Sequence, residues 1–146
     1  MEKIRRIQLK DKIEIKKILD DFSCCLPSLE KGEEQRETMA QKFSNFSEFL
    51  VIYIQEEIAG FVAFYANNCV EKIAYISMIA VKKNFRQQGV GALLLKECES
   101  VARKNGMKKI KLEVLKENST AISFYQKKGF LFSEKREDAL YMIKIL

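Results

Sequence analysis

Arg86-Gln87-Gln88-Gly89-Val90-Gly91 sits between an apolar run, Ile73 to Val81, and an amphipathic run that begins at Gly89. A strand, a glycine loop and a helix in that order turn successive backbone N–H groups toward an anion at the helix N-terminus. Glycine suits the place because a side chain there would hold phosphate oxygens away from the backbone. Lys82, Lys83 and Arg86 add positive charge beside it. The loop lacks the G-K-[ST] ending of a Walker loop and the G-x-G-x-x-G of a dinucleotide fingerprint.

Acid–base chemistry is narrowed by what the chain lacks, since it has no histidine. Ser-His-Asp and Cys-His nucleophile pairs are excluded, as is any His-ligated zinc or haem site. Proton transfer near neutral pH is left to a shifted carboxyl, a tyrosine, a thiol, an amine or water. Cys24, Cys25, Cys69 and Cys98 form no C-x-x-C pair, and no neighbour in the sequence would lower a thiol pKa. They read as reduced, mostly buried thiols of a cytoplasmic protein. No metal site is expected.

The elements that position these residues follow from periodicity. Ile4 to Leu9 alternates as a short strand. Asp11 with Glu14 resembles a capping box, and Ile15, Ile18, Leu19 and Phe22 form a helical stripe that stops before Pro27. Ser28 to Phe46 is charged, with apolar points at Met39, Phe43 and Phe46, and reads as one or two helices or a connection. Phe49–Ile54, Ile58–Ala66 and Ile73–Val81 form an antiparallel meander, turned at Gln55-Glu56-Glu57 and at Asn67-Asn68. The near-continuous apolarity of the third strand argues that both its faces are covered. A helix over Gly89–Asn105 ends at Gly106, and Lys109–Leu115 alternates as a strand. Asn118-Ser119-Thr120 opens a short helix that closes at Gly129. Phe130–Ser133 and Leu140–Ile145 finish the order β-α-α-β-β-β-α-β-α-β-β.

The 146 residues suit a single domain over 1–146 with a continuous core. No apolar run approaches the ~20 residues that span a bilayer, and Met1-Glu2-Lys3 lacks the apolar region of a secretory signal. Charge is uneven along the chain. Residues 1–74 hold 11 Lys/Arg against 13 Asp/Glu, whereas residues 75–146 hold 15 against 7. The basic half points to a phosphate-bearing partner or to a solvated basic face.

A second motif lies downstream, Asn118-Ser119-Thr120-Ala121-Ile122-Ser123-Phe124-Tyr125 through Gly129-Phe130. Together with the strand Ile79-Ala80-Val81 and the Arg86-x-x-Gly89-x-Gly91 loop, it resembles the GNAT superfamily of acyl-CoA-dependent N-acetyltransferases. The resemblance runs from about Phe49 to Leu146 and is strongest over Ile79 to Phe130. The run from Leu112-Glu113-Val114 through Tyr125 is similar to the ribosomal-protein N-terminal alanine acetyltransferases. The resemblance implies an α/β fold with a mixed, splayed sheet of six or seven strands and about four helices. It also implies acetyl-CoA as co-substrate, with pantetheine along Ile79, Ala80 and Val81 and Asn118 near the thioester. The pyrophosphate would rest beside Arg86, on backbone from Gln87 and Gln88 through Gly89, Val90, Gly91 and Ala92.

The reaction sets its own requirements. An amine with a pKa of ~8 to 10 must lose a proton before attacking a thioester. The tetrahedral oxyanion needs a fixed N–H donor, which the edge of a splayed strand near Ile79 supplies. The departing thiolate is helped by a weak acid, and Tyr125 stays protonated at neutral pH. The tyrosine at this place in similar enzymes is the general acid; otherwise it is the packed half of a Phe-Tyr pair. Glu113 aligns with a glutamate used as base in the alanine-acetylating branch. Partial burial there would raise a carboxyl toward neutrality, and the alternatives are a water chain as base or Glu113 as a plain surface charge. Tyr75 and Ser77 on the central strand read as buried structural hydroxyls, the alternative being that they line the same water path.

Two departures stand out. The proline often found after the Val81 strand is replaced by Lys82-Lys83-Asn84, and Asp20 to Ser47 matches no pattern of an acceptor wall. The acceptor is therefore an amine of open identity: a peptide N-terminus, a lysine, a polyamine, an amino sugar or an antibiotic. The competing readings are a non-catalytic CoA-binding module on the same fold and a nucleic-acid-binding domain. The second lacks interleaved aromatics and any reader motif. A homodimer is compatible with a domain of this kind.

Overall fold

The computed structural model describes residues 3–146, so the first two residues of the N-terminal reading, Met1 and Glu2, lie outside the described residues. The chain runs β1 (Ile4–Leu9), α1 (Lys12–Asp21), a 3-10 turn at Pro27–Leu29, α2 (Glu33–Phe46), β2 (Glu48–Ile54), β3 (Glu57–Tyr65) and β4 (Ile73–Val81). A second 3-10 turn, Lys83–Phe85, leads to α3 (Val90–Lys104), β5 (Lys109–Leu115), α4 (Ser119–Lys127), β6 (Leu131–Arg136) and β7 (Ala139–Ile145). The expected element order is the observed one. β6 extends past Ser133, because its later residues pair with the start of β7.

Local chemistry sets the boundaries. The Asp11 carboxylate accepts from the N–H groups of Ile13 and Glu14 at 2.8 and 3.1 Å, capping α1. Gln55 and Glu56 both take left-handed backbone (φ 53 and 67), which lets two residues turn β2 into β3. Asn118 caps α4 by accepting from the Ala121 N–H at 3.1 Å.

Seven strands form one sheet in the order β1-β2-β3-β4-β5-β7-β6. All neighbours are antiparallel except β4 and β5, which are joined through α3. Each face of the sheet has its own core. Leu94, Leu95 and Cys98 of α3 pack with Ile76, Ile110, Leu112 and Tyr125 on one face. On the other, Ile15 and Leu19 of α1, Phe22 just after it and Phe43 of α2 pack on Phe49, Val51 and Phe61. Phe61 is stacked on Phe49 at 5.2 Å and meets Phe22 edge-on at 4.9 Å. β4 is thus covered on both faces, except at Ser77, which is exposed.

The cysteines depart from expectation. Only Cys98 is buried; Cys24 and Cys25 lie in the turn after α1 and Cys69 in the loop before β4, all three exposed. A small apolar side chain is buried only where its backbone sits under a packed layer, and these turns do not. Burial pushes the Cys98 thiol far above its ordinary range.

Candidate active site

β4 and β5 start as parallel neighbours and then part. Their register covers four pairs, from Ile73 with Lys109 to Ile76 with Leu112. Beyond these, Ser77–Val81 and Glu113–Leu115 have no partner in each other. The cause lies on the far side of β4, where Ala63 pairs with Met78 and Phe64 with Ile76, leaving Ser77 as the extra residue of a β-bulge. A bulge bends its strand and increases local twist. It also exchanges the faces. Ala74 and Ile76 point into the α3 core before it, Ile79 and Val81 pack against that core after it, and Met78 and Ala80 join the α1–α2 core.

The opening holds a cavity of about 430 Å³. Ser77 and Ile79 of β4, Glu113 of β5, and Asn118 and Tyr125 of α4 line it. Leu26, Ser28 and Met39 close it from the α1–α2 side. Tyr125 is 8% exposed and meets Phe124 and Phe130 edge-on at 5.4 and 5.6 Å. Burial pushes its phenol up to about 12, so the hydroxyl keeps its proton throughout the physiological range.

The glycine loop follows the free end of β4. Gly89 is the N-cap of α3 with φ 82, and the space where its Cβ would stand is open. Gln87 also takes positive φ, at 63. No side chain caps α3, and the first N–H to bond back belongs to Leu93, which donates to the Gly89 carbonyl at 3.0 Å. The N–H groups of Val90, Gly91 and Ala92 therefore have no helical acceptor, the condition for holding an anion. Arg86 and Gln88 are exposed beside them, and the Val90 side chain is core, leaving only its backbone for a ligand.

The structure brings Ile79, Glu113, Asn118 and Tyr125 to one cavity and sets the loop from Arg86 to Ala92 at the adjoining end of β4. Several expectations change. Ser77 is exposed in the cavity wall rather than buried, because the bulge turns it out of the ladder. Glu113 is exposed rather than partly buried, since Leu112 and Val114 occupy the core-facing positions of its strand. Lys82 is not free for a phosphate: its ammonium pairs with Asp21 at 2.8 Å and lies over the Phe22 ring at 4.4 Å. It stands where the proline was expected, with φ −60, and its N–H donates to the Ala59 carbonyl at 2.8 Å. Gly91 serves packing, since a Cβ there would stand 3.3 Å from the Phe124 ring. Sequence reasoning missed the wall residues Leu26, Ser28 and Met39 and also Gly60, where a Cβ would come within 2.7 Å of the Ala80 carbonyl oxygen. Pro27, which breaks the helical stripe beside Leu26, was the available signal.

Among the described residues there is no group of metal-ligating side chains, and no helix is long and apolar enough to cross a membrane. Against known proteins, the chain is 35% identical over 100 residues to an uncharacterized N-acetyltransferase of Methanocaldococcus jannaschii. That match covers 66% of this chain and 44% of that protein, so the chain spans less than half of its relative. Its fold is that of the PaiA N-acetyltransferase of Thermoplasma acidophilum, solved in complex with coenzyme A. The TM-score is 0.77 at 18% identity, covering 100% of this chain and 99% of that one. The ribosomal-protein-S18-alanine N-acetyltransferase of Escherichia coli superposes with TM-score 0.74 at 22% identity, covering 99% and 94%. The profile of the acetyltransferase (GNAT) family matches residues 15–130, and the chain belongs to that family.

Proposed function

We propose that this chain moves the acetyl group of acetyl-CoA to a primary amine by direct attack, with no covalent enzyme intermediate. The observation that carries the reading is the parting of β4 and β5 after Ile76 and Leu112, with the uncapped N-terminus of α3 beside it. The residues present fit the co-substrate. Open space at Gly89 and the unbonded N–H groups of Val90, Gly91 and Ala92 suit a pyrophosphate, and Arg86 adds charge. The backbone of Ile79, Ala80 and Val81, with no partner on the β5 side, suits the amides of a pantetheine arm. The bound thioester supplies an activated acetyl group.

The chain's own groups then divide the work. Backbone N–H near Ile79 faces the developing oxyanion. The Tyr125 hydroxyl, kept neutral by burial, gives its proton to the thiolate as the C–S bond breaks, and the phenolate regains a proton from solvent through the open cavity. Glu113 takes the amine proton through water, its exposure leaving room for that water. Asn118 lies in the cavity wall near the thioester. The exposed thiols suit a reducing compartment such as the cytoplasm.

The acceptor is set by the wall that Leu26, Ser28 and Met39 build, which carries no charged group to name it. A screen that follows thiol release from acetyl-CoA over peptides, polyamines and amino sugars tests the proposal. Turnover with at least one amine class supports it. Tight CoA binding with no turnover on any of them would favour a CoA-binding module instead.

A further inference from the structure

Glu113 forms the partition between two hollows. It lines the cavity between β4 and β5, and it also lines a second hollow of about 440 Å³ with Arg136, Glu137, Asp138, Ala139 and Tyr141. Its side chain is exposed, and among the described residues no ion pair holds it. A base acting through one water must nonetheless be held in a narrow range of positions.

One neighbour is placed to do this. Tyr141 stands directly across from Glu113 in the β5–β7 register, so the two side chains leave the same face of the sheet. The Tyr141 ring is itself fixed by cations. The Lys111 ammonium lies 4.5 Å from its centroid and the Arg136 guanidinium 5.5 Å, and Arg136 is tied to Glu134 at 3.1 Å. The groups that face Glu113 are Tyr75 from β4, Lys111 from its own strand, Glu134 and Arg136 from β6, and Tyr141 from β7.

We infer that Tyr141 is a positioning residue for Glu113, its hydroxyl donating to the carboxylate and holding it on the wall between the two hollows. This rests on the reading of Glu113 as base. The Glu113 carboxylate across the strand raises the Tyr141 phenol above its ordinary range, and Glu113 also contributes to raising Tyr75 after desolvation. Tyr141→Phe keeps the ring and its cation contacts while removing only the donor.

Two measurements test this, and only the second needs turnover. The first follows tyrosine ionisation by NMR with label at Cζ. In Glu113→Gln the Tyr141 midpoint is expected at lower pH than in the parent, while that of Tyr53, on a distant strand, stays in place. An unmoved Tyr141 midpoint would overturn the contact. The second is a kinetic cycle with acetyl-CoA and two acceptor probes, spermidine and an alanine-initiated peptide. Tyr141→Phe is expected to lower kcat about fivefold with KM for acetyl-CoA unchanged, and to cost nothing further in Glu113→Gln. Equal losses in both backgrounds, or none in the parent, would overturn the positioning role. If Glu113→Gln itself loses no activity, the base assignment fails, while the NMR result still decides the contact.

Discussion

Ile76 and Leu112 are the last residues at which β4 and β5 remain side by side. One residue further along, Ser77 bulges out of the β3–β4 ladder and Glu113 faces the space that opens. The catalytic proposal depends on this divergence, because it frees strand backbone without exposing a sheet edge. Gly60 permits the bend from the other side, where its missing Cβ lets the Ala80 carbonyl come close.

Gly60→Ala places a Cβ 2.7 Å from that carbonyl oxygen, and a backbone atom cannot swing aside. The expected cost is about 1–3 kcal/mol of stability. Urea denaturation checks it, and an unchanged midpoint would show that β3 and β4 separate freely.

Gly89→Asp puts a carboxylate beside the N-terminus of α3, against the proposed pyrophosphate. CoA affinity by calorimetry is expected to fall by about tenfold or more, with far-UV circular dichroism unchanged. Gly89→Asn is the control, since asparagine tolerates the φ of 82 at this position without adding charge. A weakening of equal size in Asn would assign the loss to backbone strain.

The Tyr125 phenol is raised from its ordinary 10.0 to about 12 by burial. Unfolding would return it to water, so the unfolded chain releases the proton first as pH rises. The associated stability is fully present below pH 10 and is lost between there and the folded value, amounting to about 3 kcal/mol. The stability difference between parent and Tyr125→Phe is therefore expected to be flat below pH 10 and to shift against the parent above it. A difference that stays level to pH 12 would mean the phenol is not desolvated.

A thiol-reactive chromogen is expected to react quickly with Cys24, Cys25 and Cys69 in the native protein. Cys98 should react only after denaturation, because it is buried in the α3 core. A fourth fast thiol would show that α3 opens readily.

Much of this architecture was legible from local pattern. The bounds of β4 and β5 follow from apolar content and alternation, and the Asn118 cap follows from Asn-Ser-Thr before an apolar stripe. The features that resisted reading are set by partners distant in sequence. The Ser77 bulge exists only in relation to Ala63 and Phe64. The small size of Gly91 matters only because Phe124 arrives from another helix. Met39 looked like one apolar point in a charged helix until α2 brought it to the cavity wall. Cys24 and Cys25 look apolar by composition, yet the turn after α1 leaves them in solvent.

The most direct test of the account compares Tyr125→Phe with the parent in two assays on the same protein. CoA binding by calorimetry is expected to persist, because the ring and its packing against Phe124 and Phe130 are retained. Thiol release from acetyl-CoA with the best acceptor is expected to fall about tenfold or more. Undiminished turnover with normal CoA binding would contradict the account and return Tyr125 to a packing role.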